Sequence, residues 1–291
     1  MRTLIRTDAA KADHDRRLSP AVVAALVEAG ATRMLAPASL GGGEVDLPSW
    51  VVAIEDLARA DGSAGWTAMT PDGPRLMLFP SSDVTVHDTW HAAGLRATES
   101  HEWEASGAFV PARGQVWPPA VRVSGPLPVF PFFAFLAVGV AAVGLGIAAR
   151  AIEEVEALAA TKTPQHAQGL LAEQAEAQRD LGVAEARLSA ARAFPHAEVA
   201  DRWAAAVAGQ ASTIQERARL RLACSHAATE SASITRQAFD IGGGTSVFEN
   251  SPLQRCLRNA HVAAQHAIVS RRLFETYGKV KLGIPTDTTR L

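Results

Sequence analysis

Between Phe130 and Ala149 the chain carries no charged side chain for 20 consecutive residues, enough to cross a bilayer or to form the central helix of a large helical core. The run is rich in Ala and Gly and begins at Pro131. It continues past Arg150 into Ile152, Val155 and Leu158, which are spaced as the buried stripe of an amphipathic helix. A bilayer span would not normally merge into such a stripe, so the segment is read as core. No other stretch looks membranous, and the N-terminal MRTLIRTDAAKADHDRR lacks the apolar region of an export signal. A soluble protein with no membrane partner, in a cytoplasmic setting, is the expectation.

Charge excludes further classes. With 28 basic and 30 acidic residues the formal net charge is -2, which leaves no footprint for nucleic acid. The two cysteines, Cys224 and Cys256, fit no ligand spacing, so neither a metal site nor a disulfide is expected and a reduced compartment is implied.

Around the apolar run the pattern is helical. Leu18 to Ala29 follows the Ser19-Pro20 start signal, and Leu47 to Ala60 follows the Gly41-Gly42-Gly43 break. From Thr70 to about Pro126 the texture changes to Pro and Gly punctuation around short β-rich runs, Arg75–Phe79, Val84–Val86 and Ala108–Val110. Strands this few bury too little to stand alone and must lean on helices or on another chain. Beyond Pro131 four long helical patterns follow, broken at Thr163-Pro164, near Phe194-Pro195 and Gly209, and at Gly242-Gly243-Gly244. The expectation is a mainly α protein: an N-terminal helical domain (1–69), a small truncated β segment (70–126) and a C-terminal antiparallel four-helix bundle (127–291).

The last pattern, Pro252 to Gly278, reads as one helix with two faces. Leu253, Leu257, Ala260, Ala264 and Ile268 form an apolar stripe. Opposite them fall Arg255, Arg258, Asn259, Val262, His266, Val269 and Leu273. A solvated face favours Lys and Glu over Val and Leu, so this mixed face fits either a subunit contact or the wall of a ligand cleft. The preceding Gly242, Gly243 and Gly244 allow a backbone to approach a phosphate, and equally they are how one helix ends before another begins.

The run FDIGGGTSVFENSPLQRCLRNAHVAAQH resembles the C-terminal signature of the acyl-CoA dehydrogenase superfamily, in the branch of two-component flavin-dependent monooxygenases. EAGATRMLAPASLGGGEVDLPSWVVAIEDLARADGSAGWTAM is similar to that family's N-terminal helical domain, and DTWHAAGLRATESHEWEASGAFVPA to the later part of its middle β-domain. The resemblance implies FAD or FMN between domains, supplied reduced by a separate flavin reductase, a small-molecule substrate, and a homodimer or homotetramer. It also assigns roles. His266 matches a histidine that assists formation or use of the flavin hydroperoxide. Gly242, Gly243, Gly244 and Arg258 match a region near the flavin, often a neighbouring subunit's, and Arg255 would steer an anionic substrate group.

The departures carry information too. Ala267 aligns with the glutamate that abstracts a proton in the dehydrogenase branch, and a methyl group cannot accept one, which disfavours ordinary acyl-CoA dehydrogenation. Asn259 stands for the usual aspartate, and Glu99 for a usual glycine in a Thr-Gly-Ser turn. A long stretch between Trp66 and Arg75 is missing, with much of the flavin pocket. Two functions follow as expectations: a flavin-dependent monooxygenase, or a shortened non-catalytic relative that serves as an oligomeric scaffold.

Overall fold

The structure, a computed structural model, describes residues 1–69, 81–108 and 125–291. Four helices come first: α1 (Arg2–Asp15), α2 (Pro20–Glu28), α3 (Leu47–Ala60) and α4 (Gly62–Met69). Strands β1 (Thr85–His87) and β2 (Glu102–Glu104) follow. The C-terminal half holds α5 (Phe132–Ala159), α6 (Ala175–Val207), α7 (Ile214–Gly242), α8 (Pro252–Ala264) and α9 (Arg272–Lys281).

The uncharged run is α5. It is long and apolar enough to cross a membrane, yet most of it is buried within the protein, against α3, α6, α7 and α8. Its apolarity is thereby accounted for by packing. One continuous core runs from Ile5 through Ile54 and Leu145 to Leu253 and Val269, so the N-terminal helices and the bundle share a hydrophobic interior.

Local chemistry sets the starts of three helices. Ser19 Oγ accepts from Val22 N at 3.3 Å, with Pro20 at the first helical position. Asp46 caps α3 through Ser49 N at 2.9 Å. Thr213 and Glu216 form a reciprocal capping box at the start of α7.

Three expectations change. The break expected near Phe194-Pro195 does not occur: α6 runs through Pro195, and packing against α7 outweighs the lost backbone bond. Helix α1 was not anticipated, although Ile5, Ala9 and Ala12, its buried residues, have helical spacing. The final helix is not continuous to Gly278; it stops at Ala264, a 3-10 turn occupies Ala267–Val269, and α9 begins anew. No Pro or Gly marks that stop. His266 makes it, as shown below.

Of the β-rich runs, Val84–Val86 becomes β1, shifted by one residue, whereas Arg75–Phe79 and most of Ala108–Val110 lie outside the described residues. β1 and β2 pair antiparallel, Val86 opposite Trp103, with all six residues exposed. What anchors this remnant is the loop between the strands. Leu95 is 1% exposed, and its N–H donates to Asn259 Oδ1 at 2.7 Å. Gly94 lies so close to α8 that a Cβ there would sit 2.4 Å from the Arg258 carbonyl oxygen, so only hydrogen fits. Arg16 forks onto Asp88 with two bonds of 3.0 Å. The remnant therefore leans on the helices.

Candidate functional site

The expected site residues lie on helix α8 and on the turns that flank it, divided between its two ends. At its N-terminal end Gly242 closes α7, and Gly243 has φ +53°, a left-handed conformation that glycine tolerates. A Cβ on Gly244 would meet nothing within 4 Å, so its backbone is open. Lys162 Nζ donates to Gly242 O at 2.6 Å, and Ser251, the N-cap of α8, makes no side-chain cap bond. Beside this turn lies a cavity of about 570 Å³ lined in part by Glu154, Leu158, Thr245, Phe248 and Ser251.

At the opposite end stands His266. It has extended backbone angles (φ −61°, ψ 130°), and its Nδ1 accepts from Ile268 N at 3.2 Å, capping the 3-10 turn that replaces the expected continuation of the helix. Trp66 of α4 meets the imidazole edge to face, ring centroids 5.6 Å apart and planes at 64°. The residue as a whole is exposed, but the ring is sheltered enough that burial pushes its pKa below the usual imidazole value. With Nδ1 accepting, the neutral ring carries its proton on Nε2.

The two ends lie roughly 20 Å apart at 1.5 Å rise per residue. One chain therefore does not bring Gly242–Gly244 to His266. Nor does it bring Arg255 there, which lies roughly 13 Å from the far end of α8 by the same rise.

The arginines are placed differently from one another. Arg258 donates to Asp13 Oδ2 at 2.8 Å, to Gln254 Oε1 at 2.6 Å and to the Ala93 carbonyl, tying α1 and the β remnant to α8. Its guanidinium is thus engaged within the fold. Arg255 faces the buried Asp61, whose carboxyl is raised by burial while the Ala64 N–H and the Arg255 charge act against the rise. The expected stripe also needs correction, because Cys256, Asn259 and Ala263 join Leu253 and Ala260 on the buried face, whereas Leu257 and Ala264 are half-buried on its flank. Asn259 belongs to the interior since its amide serves Leu95. Glu99 has φ +49° and pairs with Arg17 at 2.7 Å. Sequence reasoning did not single out Trp66 or Arg221; the only signal for the latter was an arginine on the predicted buried side of α7.

Residues 138–271 match the family profile for the acyl-CoA dehydrogenase C-terminal domain, and residues 1–74 that for its N-terminal domain. The chain belongs to the acyl-CoA dehydrogenase superfamily.

Its relatives are flavin-dependent monooxygenases. It is 27% identical to an indole-3-acetate monooxygenase of Pseudomonas putida, with 93% of this chain and 89% of that protein covered. It is 28% identical to the oxygenase subunit HsaA, a flavin-dependent monooxygenase of Rhodococcus jostii, over 72% of this chain and 58% of that one. Among solved structures, XiaF from a Streptomyces species, in complex with FADH2 and glycerol, superposes with TM-score 0.89 at 21% identity, covering 98% of this chain and 93% of that one. These matches lend no support to a non-catalytic scaffold. The alignment with the Pseudomonas protein spans 349 positions, more than the 291 of this chain, so the relative carries internal residues absent here.

Proposed function

We propose that this chain is the oxygenase component of a two-component flavin-dependent monooxygenase, acting on a small aromatic substrate with FMN or FAD delivered reduced by a separate reductase. The observation that carries the reading is His266: an imidazole held neutral, one nitrogen committed to a backbone N–H, the other without a hydrogen-bond partner among the described residues, beside an indole. The indole-3-acetate and HsaA relatives support the substrate class and the reductase.

The residues present fit a flavin at both ends of α8. The open space at Gly244, the α8 N-terminus without a side-chain cap and the Lys162 ammonium suit phosphate oxygens, whereas the Gly243 N–H is already donated to Asp240 O. His266 and Trp66 suit the ring. Because the two ends lie roughly 20 Å apart, the glycine turn would serve a cofactor whose ring lies against another copy's His266, which makes a homodimer the smallest competent unit. Arg258 is assigned to holding the fold.

When bound, the reduced flavin supplies two electrons to dioxygen, one oxygen atom entering the substrate and the other leaving as water. This chain's part is acid–base work and shelter. His266 Nε2–H would donate to an oxygen of the bound reactants, and Trp66 covers one edge of the imidazole. Ala267 offers no base, so proton abstraction from an acyl thioester has no group to perform it at that position.

Titration with FAD, FMN and their reduced forms, read by absorbance and fluorescence, tests the proposal. Micromolar binding, worth about 8 kcal/mol, is expected. His266→Ala should then leave affinity intact while lowering product yield and raising peroxide release. Absence of binding at millimolar flavin overturns the function, and unchanged coupling in His266→Ala removes that residue from it.

A further inference from the structure

One buried charge has no role in the site described above. Arg221 of α7 is 2% exposed, and none of the described residues brings a carboxylate into ion-pairing distance of it. Its Nε has no hydrogen-bond partner among the described residues. Taking a guanidinium out of water without a counter-ion is costly, and an apolar side chain of similar volume would pack such a position at no such cost. What the guanidinium does touch is specific. Nη2 donates to the Ile268 carbonyl at 2.7 Å, and Nη1 to the Arg290 carbonyl. Both acceptors belong to chain beyond α8.

Ile268 is also the residue whose N–H is taken by His266 Nδ1. Arg221 thus pegs, from the interior, the residue that fixes the imidazole's tautomer. Trp66 meets the same ring edge to face. Resting on the reading of His266 as the working acid–base group, we propose that Arg221 and Trp66 are its positioning residues: the guanidinium anchors the Ala267–Val269 turn, the indole sets the ring plane, and together they present Nε2–H as the working atom.

The proposal explains why α8 stops at Ala264 without Pro or Gly. A helix continued through His266 would leave the Ile268 N–H in the backbone ladder and both imidazole tautomers open. Ending the helix there commits Nδ1, and a peg on Ile268 O keeps the turn from winding back.

The test uses the full chain labelled with ¹⁵N-histidine. Long-range imidazole correlations are recorded, and His266 is assigned among the nine histidines by its absence in His266→Gln. In the unaltered protein Nδ1 should show the shift of an unprotonated acceptor and Nε2 that of a protonated nitrogen. Trp66→Ala and Arg221→Met should move both towards the averaged shifts of a free tautomer mixture, while Trp66→Phe retains the original pattern. Arg221→Lys keeps the buried charge but not the fork, and gives an intermediate pattern; it carries the test for Arg221 should Arg221→Met not fold.

The second readout is peroxide release when protein is mixed with reduced FMN and dioxygen, which without substrate end as oxidised FMN and hydrogen peroxide. A positioned acid–base group contributes on the order of 10²- to 10⁴-fold, so loosening it should speed release roughly tenfold. If the variants of Trp66 and Arg221 leave both tautomer and release unchanged while His266→Gln speeds release, the positioning proposal fails alone. If His266→Gln changes nothing, the functional reading beneath it fails, and the proposal with it.

Discussion

Asn259→Ala tests how the truncated β segment is held to the bundle. The Asn259 side chain is 3% exposed, its Oδ1 accepts the Leu95 N–H at 2.7 Å, and its Nδ2 lies 3.2 Å from where a Cβ on Gly62 would stand. Truncation strands a buried N–H, which costs about 1–3 kcal/mol. It also opens a void the size of an amide between α8 and the start of α4, worth roughly 1 kcal/mol more. Even the lower end of the sum, about 2 kcal/mol, lowers the thermal midpoint by roughly 4–8 °C in a protein of this order of size. The loss should be local as well as global. Hydrogen exchange measured by mass spectrometry should show the peptide containing Leu95 losing protection before α5 and α7 do. Asn259→Asp keeps an acceptor for that N–H and should leave the peptide protected. A midpoint within 1 °C of the unaltered protein, together with unchanged exchange at Leu95, would refute the claim that this amide is the clasp.

Two further predictions rest on titration. Burial pushes the Cys224 and Cys256 thiols up to about 12, so the folded protein should resist iodoacetamide near pH 8 and take up two equivalents once unfolded; prompt labelling of either thiol in the native state would contradict it. His266 has a folded pKa below its ordinary value, so as pH falls through the ordinary imidazole range the unfolded chain takes a proton first and stability drops. The contribution is fully present above that range. His266→Gln should flatten this part of the urea midpoint's pH profile, and an unchanged slope would show that the imidazole is not sheltered.

What the sequence made legible follows from the kind of signal each feature leaves. α5 could be read because a long uncharged run merging into an amphipathic stripe has few alternatives, and α3 was read to its end residues from the Gly41-Gly42-Gly43 break ahead of it. The stop of α8 was illegible because it comes from a histidine accepting a backbone bond two residues on, a tertiary choice with no Pro or Gly behind it. Pro195 failed in the opposite way: a strong local breaker was overruled by packing along α6 and α7. Asn259 and Arg258 looked like members of a polar face. Their partners, Leu95 and Ala93 on one side and Asp13 on the other, lie far away in sequence, and only the folded chain pairs them.

The same contacts explain how a chain lacking part of its relatives' length keeps the site's support. The described β hairpin is attached through the loop between β1 and β2. There Gly94 lies against the α8 backbone, Leu95 fills the core, and Arg16, Arg17 and Arg258 bind the loop's carboxylates and carbonyls. Of these, Gly94, Leu95 and Arg258 join the loop to α8, while Arg16 and Arg17 join it to the chain just after α1. Helix α8 in turn carries the glycine turn at one end and the histidine turn at the other, so the geometry of both ends depends on that clasp. Weakening the clasp at Asn259 should therefore disturb the His266 tautomer without touching the imidazole. Imidazole correlations of Asn259→Ala identical to those of the unaltered protein would show that the histidine turn is held from α7 and α4 alone.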